Sequence, residues 1–209
     1  MNAIRSGSRF DSWFADKDLT EDWTSHNFEL WAELLGSLRH QHLEVLEVGC
    51  FEGRSGIFWL EFFPLAHVTF VDAFEPGLKG RDMERSSSRF DRNIAPYGER
   101  ATLLKLKSSI ALTMLRNAGK TFDLIYLDGS HRRDDVLVDS LLCWPLLKRD
   151  GIAIWDDYGK QEGLRPAERA KEAIELFLSW HADSLIELHR GWQVIVRKTD
   201  PRMPPDLAP

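Results

Sequence analysis

Cysteine is nearly absent from this sequence: only Cys50 and Cys143 occur, each inside an apolar segment. That scarcity argues against a disulfide-stapled secreted scaffold and predicts two reduced core thiols. Long apolar runs are also missing. No stretch approaches the roughly 18 residues of a membrane helix, and residues 1–17 mix charges with isolated aromatics where a signal peptide needs an apolar core. A cytoplasmic protein without membrane contact is the expectation. Blocks of like charge are lacking too. The 33 acidic and 27 basic residues give a net charge of −6 spread along the chain, which argues against a nucleic-acid-binding surface. No internal repeat or low-complexity domain is visible.

What remains is ample for one domain: 209 residues, 43% hydrophobic and 29% charged, enough to bury a good core. Phe10, Trp13 and Phe14 fit a short helix packed on the body, or a flap over a site. Behind Thr24 or Ser25 as N-cap, apolar residues recur at Phe28, Trp31, Leu34, Leu35 and Leu38, a helical spacing. Buried strands are expected at 43–48, 68–71, 101–106, 122–127 and 151–155. Helices are expected between them: one through Ile57, Leu60 and Phe63, stopped by Pro64; one over 83–94 with Phe90 and Ile94 inward; and one opened by Ser108 and Ser109. A fourth spans 134–144 with Val136, Leu137, Ser140, Leu141 and Trp144 inward, and a fifth, opened by Pro166, runs through Ala173, Leu176 and Trp180. Pro76-Gly77 marks a turn. Runs at 185–188 and 192–196, separated by His189-Arg190-Gly191, read as a hairpin.

Strand and helix alternate, which predicts an α/β fold with a doubly wound parallel sheet and helices on both faces; the hairpin predicts one antiparallel strand at its end. Boundaries are expected at 1–40 for an N-terminal helical or lid segment, 41–198 for the sheet domain, and 199–209 for a loose Pro-rich tail.

Two stretches bear chemistry. In the first, Glu47-x-Gly49-x-x-x-Gly53 falls where the first strand turns into a helix, so that backbone approaches a ligand with helix N–H groups behind it. A dinucleotide-binding turn has a glycine where this chain has Phe51; the bulky ring disfavours a pyrophosphate, and with it a nicotinamide oxidoreductase. Asp72, ending the second strand, has the placement of an acid that hydrogen-bonds ribose hydroxyls. Together they point to an adenosine-type ligand. In the second, strands 122–127 and 151–155 end in Asp128-Gly-Ser-His131 and Asp156-Asp157-Tyr158. If these strands are neighbours, the three acids meet at one edge, where two carboxylates about 4 Å apart repel by roughly 4 kcal/mol at an effective dielectric near 20. A proton, a basic neighbour or a cation must offset that, and all-oxygen donors suit Mg²⁺. His131 is the candidate general base, with helix capping or support of a metal as competing roles. The plain alternative makes Asp128 a turn residue and Asp157 a cap.

The run Glu47-Val-Gly-Cys-Phe-Glu-Gly53, with Val68-Thr-Phe-Val-Asp72, resembles the first two motifs of class I S-adenosylmethionine-dependent methyltransferases. The run Asp123-Leu-Ile-Tyr-Leu-Asp128-Gly-Ser-His131, through Trp144-Pro-Leu-Leu to Gly151-Ile-Ala-Ile-Trp-Asp156-Asp157-Tyr158, is more specific. It resembles the macrocin-type small-molecule O-methyltransferases, and the resemblance spans about residues 43–196. It implies a Rossmann-like sheet of seven strands with the last antiparallel. It implies S-adenosylmethionine over Glu47, Gly49 and Gly53, with Asp72 on its ribose, Ser109 lining the adenine pocket and Asp128 beside it. It also implies Mg²⁺ on Asp128, Asp156 and Asp157, and transfer of a methyl group to a hydroxyl of a small molecule such as a sugar or natural product. Trp13, Phe14, Trp23 and Phe74 suit a ring-bearing acceptor, or else a homodimer interface. A non-catalytic relative that only holds adenosine ligands is the competing reading; the joint presence of Asp128, His131, Asp156 and Asp157 speaks against it.

Overall fold

Apolar runs with a period of two build the centre of the sheet. In the computed structural model, which describes residues 8–75, 82–160 and 163–200, the elements are α1 (Phe28–Leu35), β1 (Glu44–Val48), α2 (Arg54–Phe62), β2 (His67–Val71), α3 (Met83–Ile94), β3 (Ala101–Leu104), α4 (Ser108–Asn117), β4 (Phe122–Leu127), α5 (Arg133–Cys143), β5 (Leu147–Trp155), α6 (Ala170–Trp180), β6 (Leu185–Arg190) and β7 (Val194–Lys198). The Pro76-Gly77 turn and nearly all of the Pro-rich tail lie outside the described residues. Successive strand side chains alternate between the two faces. Val45, Leu124, Tyr126, Ile152, Ile154 and Ile195 pack under α1, α2 and α3. Leu46, Val48, Ile125, Leu127, Ala153, Trp155, Val194 and Val196 pack under α4, α5 and α6. Both faces are thus covered, as a parallel sheet requires.

The strand order is β3-β2-β1-β4-β5-β7-β6, a seven-stranded Rossmann-like arrangement. Strands β1 to β5 pair in parallel, and β7 runs antiparallel to both neighbours, as expected for the last strand. The chain moves outward from β1 to β3 and then crosses back to β4, so the order reverses between β1 and β4. In open α/β sheets that reversal leaves a crevice beyond the strand carboxyl ends. The ladder continues into it: Gly49 N–H donates to Val71 O (2.8 Å), Asp128 N–H to Val48 O (2.8 Å) and Asp156 N–H to Leu127 O (3.0 Å). Three of the chemical residues are therefore placed by backbone register.

Several local expectations change. Thr24 stands at the N-cap of the turn Ser25–Asn27 that leads into α1, as expected, but its side chain makes no cap bond; Asp22 Oδ1 instead accepts the N–H groups of Thr24 and Ser25 (3.3 and 3.0 Å), a carboxylate being the stronger acceptor at a helix start. Helix α5 buries Val136, Asp139, Ser140 and Cys143, and Leu141 is exposed. A polar helix face wins because Trp155 needs an acceptor: its Nε1–H donates to Ser140 Oγ (2.8 Å). Pro166 opens a 3₁₀ turn, and α6 starts only at Ala170, with Ile174, Phe177 and Leu178 inward and Leu176 and Trp180 exposed. Strand β5 begins at Leu147 rather than at Gly151. Among the described residues no helix is long and apolar enough to cross a membrane.

Candidate active site

Left-handed backbone shapes the turn after β1. Gly49 (φ 85°), Phe51 (φ 47°) and Gly53 (φ 87°) all have positive φ, a region that only glycine enters without strain. A Cβ on Gly49 would sit 2.2 Å from the backbone oxygen of Asp128, so glycine here lets β1 and β4 close on each other. Asp72 then ties the turn down. Its Oδ2 accepts Cys50 N–H and Phe51 N–H (3.0 Å each), and its Oδ1 accepts Phe74 N–H (2.8 Å). A carboxylate offers about four lone pairs, so Asp72 retains capacity for one further donor. Expected from the sequence as a ribose ligand, it is first of all the clamp of the turn.

Glu47 departs from its expected place. It is 0% exposed, lies beneath the floor rather than among the residues lining the cavity described below, accepts the Ser55 hydroxyl, and leaves Oε2 without a hydrogen-bond partner. Burial, with a contribution from the charge of Asp72, raises its pKa from 4.5 to about 8, against the partly compensating Ser55 bond. An acid whose pKa is raised by folding stabilises the fold fully below its unfolded value and loses that contribution as pH rises toward the folded one. The melting temperature of the wild type should therefore fall between pH 4.5 and about 8 relative to that of Glu47→Gln. Thermal melts of both proteins across that window check this; parallel curves would remove Glu47 as a buried neutral acid.

The acids at the ends of β4 and β5 do meet. Asp128, His131 and Asp157 each bring a ligand atom within 4.8 Å of the others. His131 Nδ1 lies 2.5 Å from Asp157 Oδ2, and Lys160 Nζ lies 3.3 Å from the same oxygen. These two neighbours outweigh burial and hold the Asp157 carboxyl below its usual range. They also secure a non-glycine residue at φ 56°, a conformation costing of order 1 kcal/mol or more. Burial, and then the charges of Asp156 and Asp157, push Asp128 well up; Tyr126 Oη–H donates to its Oδ2 (2.9 Å). Asp156 is also raised, chiefly by burial, against the donation from Gln193 Nε2 to its Oδ1 (2.8 Å). Asp156 stands beside this trio, its charge the largest of those acting on Asp128, so the three acids named from the sequence come together with His131 added to them.

The turn, Asp128 and His131 share one cavity of about 870 Å³, within the range of roughly 300–1,000 Å³ typical of small-molecule and cofactor sites; Asp156 and Asp157 line a small pocket that adjoins it at Asp128 and His131. Gly49, Asp72, Ser109, Asp128 and His131 line it. So do residues that sequence reasoning passed over: Leu19, Glu21, Lys107 and Asp139. Asp139 is a further buried acid, raised to about 6 by burial against a bond from Ser108; its signal was hidden because α5 was read as turning Leu137 and Leu141 inward.

The wall formed by residues 19–24 is held by Glu52, which is 2% exposed. Glu52 accepts Thr20 N–H (2.6 Å) and Arg89 Nη1–H (3.2 Å). The N-terminal aromatics divide. Phe10 and Trp13 pack on Phe58 and Phe14 stacks on Phe28; Phe74 is buried near Phe90. Only Trp23 of the four suggested for an acceptor lines the cavity, its ring 5.0 Å from that of Phe51.

Comparison with known proteins matches this geometry. The family described as a methyltransferase domain matches residues 46–158, just over half of the chain and the whole run from the glycine turn to Tyr158. No curated protein matches the chain in sequence. Among solved structures, the MycE methyltransferase of the mycinamycin biosynthetic pathway, crystallised with Mg and SAH, superposes with a TM-score of 0.65 at 15% identity over 93% of this chain. This chain spans about half, 53%, of that one. An O-methyltransferase from Bacillus cereus in complex with SAH gives 0.66 at 16% identity, covering 87% of this chain and 84% of the other. CalS11, a TDP-rhamnose 3'-O-methyltransferase of calicheamicin biosynthesis, gives 0.57 at 16% identity, covering 82% and 79%. At these identities the likeness is one of fold.

Proposed function

The chain belongs to the methyltransferase-domain family, and within it we propose an S-adenosylmethionine-dependent O-methyltransferase that is assisted by Mg²⁺ and acts on a hydroxyl of a small molecule of sugar or natural-product type. One observation carries this reading: the glycine turn with Asp72 opens into the same cavity as Asp128 and His131, and Asp157 lies within ligand reach of both in a small pocket behind them. The complex of the MycE methyltransferase with Mg and SAH, and the description of CalS11 as a TDP-rhamnose 3'-O-methyltransferase, agree with it.

In this reading the turn 49–53 and Asp72 hold the nucleoside, and Ser109 borders its base. The donor chemistry fits a hard cation. Two carboxylates in reach of one ion, with a third beside them and two of the three raised by burial and mutual repulsion, form a set of hard oxygen donors whose charge Lys160, beside Asp157, offsets only in part. Asp128 and Asp157 would hold Mg²⁺, with Asp156 supporting them. When bound, the ion would acidify an acceptor hydroxyl and offset the carboxylate charge. His131 supplies the base. Asp157 accepts from Nδ1, which fixes the tautomer with Nε2 free to take the hydroxyl proton. Residues 19–24, with Trp23, close the side from which an acceptor would enter. Since the transfer is a direct displacement, orienting and deprotonating the hydroxyl are most of what the protein supplies. Isothermal titration with S-adenosylhomocysteine is expected to show binding at micromolar concentrations; no heat at millimolar ligand would overturn the reading.

A further inference from the structure

Gln193 occupies a place that a hydrophobic residue would fill more cheaply. It is 1% exposed and stands one residue before β7. Trp155 pairs with Val194 and Ile154 with Ile195, so the antiparallel register carries Gln193 opposite Asp156. By the same alternation it shares the face of Ile195, which packs in the cluster that contains Trp31. A primary amide buried there costs free energy unless both of its ends find partners.

Both ends do, in one orientation only. Trp31 Nε1–H donates to Gln193 Oε1 (2.8 Å), and Gln193 Nε2–H donates to Asp156 Oδ1 (2.8 Å). An indole nitrogen donates and never accepts, while an ionised carboxylate only accepts. Flipping the amide would set donor against donor and oxygen against carboxylate. The indole thus determines which way the amide faces, and the amide presents its donor to the acid.

Tyr126 repeats the device one strand away. Its hydroxyl donates to Asp128 Oδ2 (2.9 Å) while its ring meets Trp31 edge-on, 5.2 Å between centroids. Trp31, fully buried on α1, touches both donors.

We propose that Gln193 is a positioning residue of the acidic site: set by Trp31, it holds Asp156 beside Asp128 and Asp157 so that the three carboxylates are arranged before a divalent cation or an acceptor hydroxyl arrives. The proposal rests on the metal-assisted reading above. Hydrogen-bond partners of this kind orient metal-binding side chains, and losing one typically weakens metal affinity or activity by roughly 10–100-fold.

The test compares the wild type with Gln193→Leu, which keeps the side-chain bulk but loses both hydrogen bonds, and with Trp31→Phe, which keeps the aromatic packing but loses the N–H. Mn²⁺ binding is followed by the loss of the free-ion EPR signal in the presence of S-adenosylhomocysteine. The affinity for S-adenosylhomocysteine is measured by calorimetry, and kcat and KM are measured separately. Gln193→Leu should weaken Mn²⁺ binding by about 10–100-fold and lower kcat, with the affinity for S-adenosylhomocysteine and the KM for S-adenosylmethionine within about twofold. Trp31→Phe should shift Mn²⁺ binding in the same direction by less. Unchanged Mn²⁺ affinity and kcat in Gln193→Leu would overturn the proposal; if that variant does not fold, unchanged values in Trp31→Phe would do so. A wild type that binds no Mn²⁺ removes the metal-assisted reading instead. The kcat of Gln193→Leu at constant KM then decides whether Gln193 positions the acids for the acceptor alone.

Discussion

Asp128→Asn is expected to lose turnover by at least about a hundredfold while melting at a higher temperature than the wild type. The loss follows from the proposed role. Replacing the carboxylate by an amide removes a charged donor to the cation, and such electrostatic help is worth several kcal/mol, each roughly 1.4 kcal/mol being a factor of ten in rate. The gain follows from burial. Asp128 is raised well above 3.8 by its surroundings and by the charges of Asp156 and Asp157, so the folded protein disfavours its ionised form. A raised carboxyl stabilises the fold at low pH and loses that contribution as pH increases toward the folded value. The amide escapes the loss, and Tyr126 Oη can still donate to its oxygen. Each kcal/mol is worth roughly 2–4 °C in a chain of this size. The difference in melting temperature should be clear at pH 7.5 and should vanish below pH 3.8, where the carboxyl is protonated in folded and unfolded chains alike. Calorimetric scans at the two pH values, with turnover measured alongside, check both halves. An Asn variant within tenfold of wild-type turnover would end the proposed role of Asp128.

The second large effect belongs to Gly49→Ala. The new methyl group would lie 2.2 Å from the Asp128 carbonyl oxygen, 2.5 Å from its carbonyl carbon and 2.5 Å from Gly129 Cα. All three are backbone atoms at the end of β4, with no side chain to swing aside, and the residue itself is held at φ 85°. The carboxyl ends of β1 and β4 would have to part, weakening the Asp128 N–H to Val48 O bond and the hold of Asp72 on the turn. Overpacking of this kind costs about 1–3 kcal/mol, and left-handed backbone on a residue with a Cβ adds about 1–2 kcal/mol. Together these come to about 2–5 kcal/mol at the ligand's own seat, so affinity for S-adenosylhomocysteine should fall by at least about thirtyfold. Gly53→Ala is the internal comparison: it carries the same left-handed strain (φ 87°), but its methyl would meet only side-chain atoms of Phe90 and Ile94, at 3.2 to 3.3 Å, which can shift, so only the backbone clash separates the two variants. Calorimetric titration of both variants reads the contrast. Normal binding by Gly49→Ala would mean that the turn does not seat the nucleoside.

Legibility in the sequence followed the range of the force involved. Strand β4 and helix α3 have the limits expected of them, because continuous apolar runs and a capped amphipathic segment are decided by neighbours in the chain. On helix α5 Val136 and Ser140 face inward as expected, but Leu141 is exposed and Asp139 is buried, because the face is set by its partners on other elements, among them Trp155, which donates to Ser140. Asp139 was missed for the same reason. Glu47 was expected beside the ligand because it opens the motif, yet a strand residue points to one face or the other, and its face is the core.

What the amino-acid order determined alone is the alternation of elements, the glycine turn with Asp72 and Asp128 at strand ends, and hence the family. Those depend on local period, on φ and on the length of a strand. What only the tertiary structure decided is the company each group keeps: His131 joined to Asp157 beside Asp128, Trp31 and Gln193 behind Asp156, and Glu52 holding the wall formed by residues 19–24. Such pairs lie far apart in the chain, and their hydrogen bonds form only when packing has removed the water that would otherwise satisfy every donor and acceptor equally well.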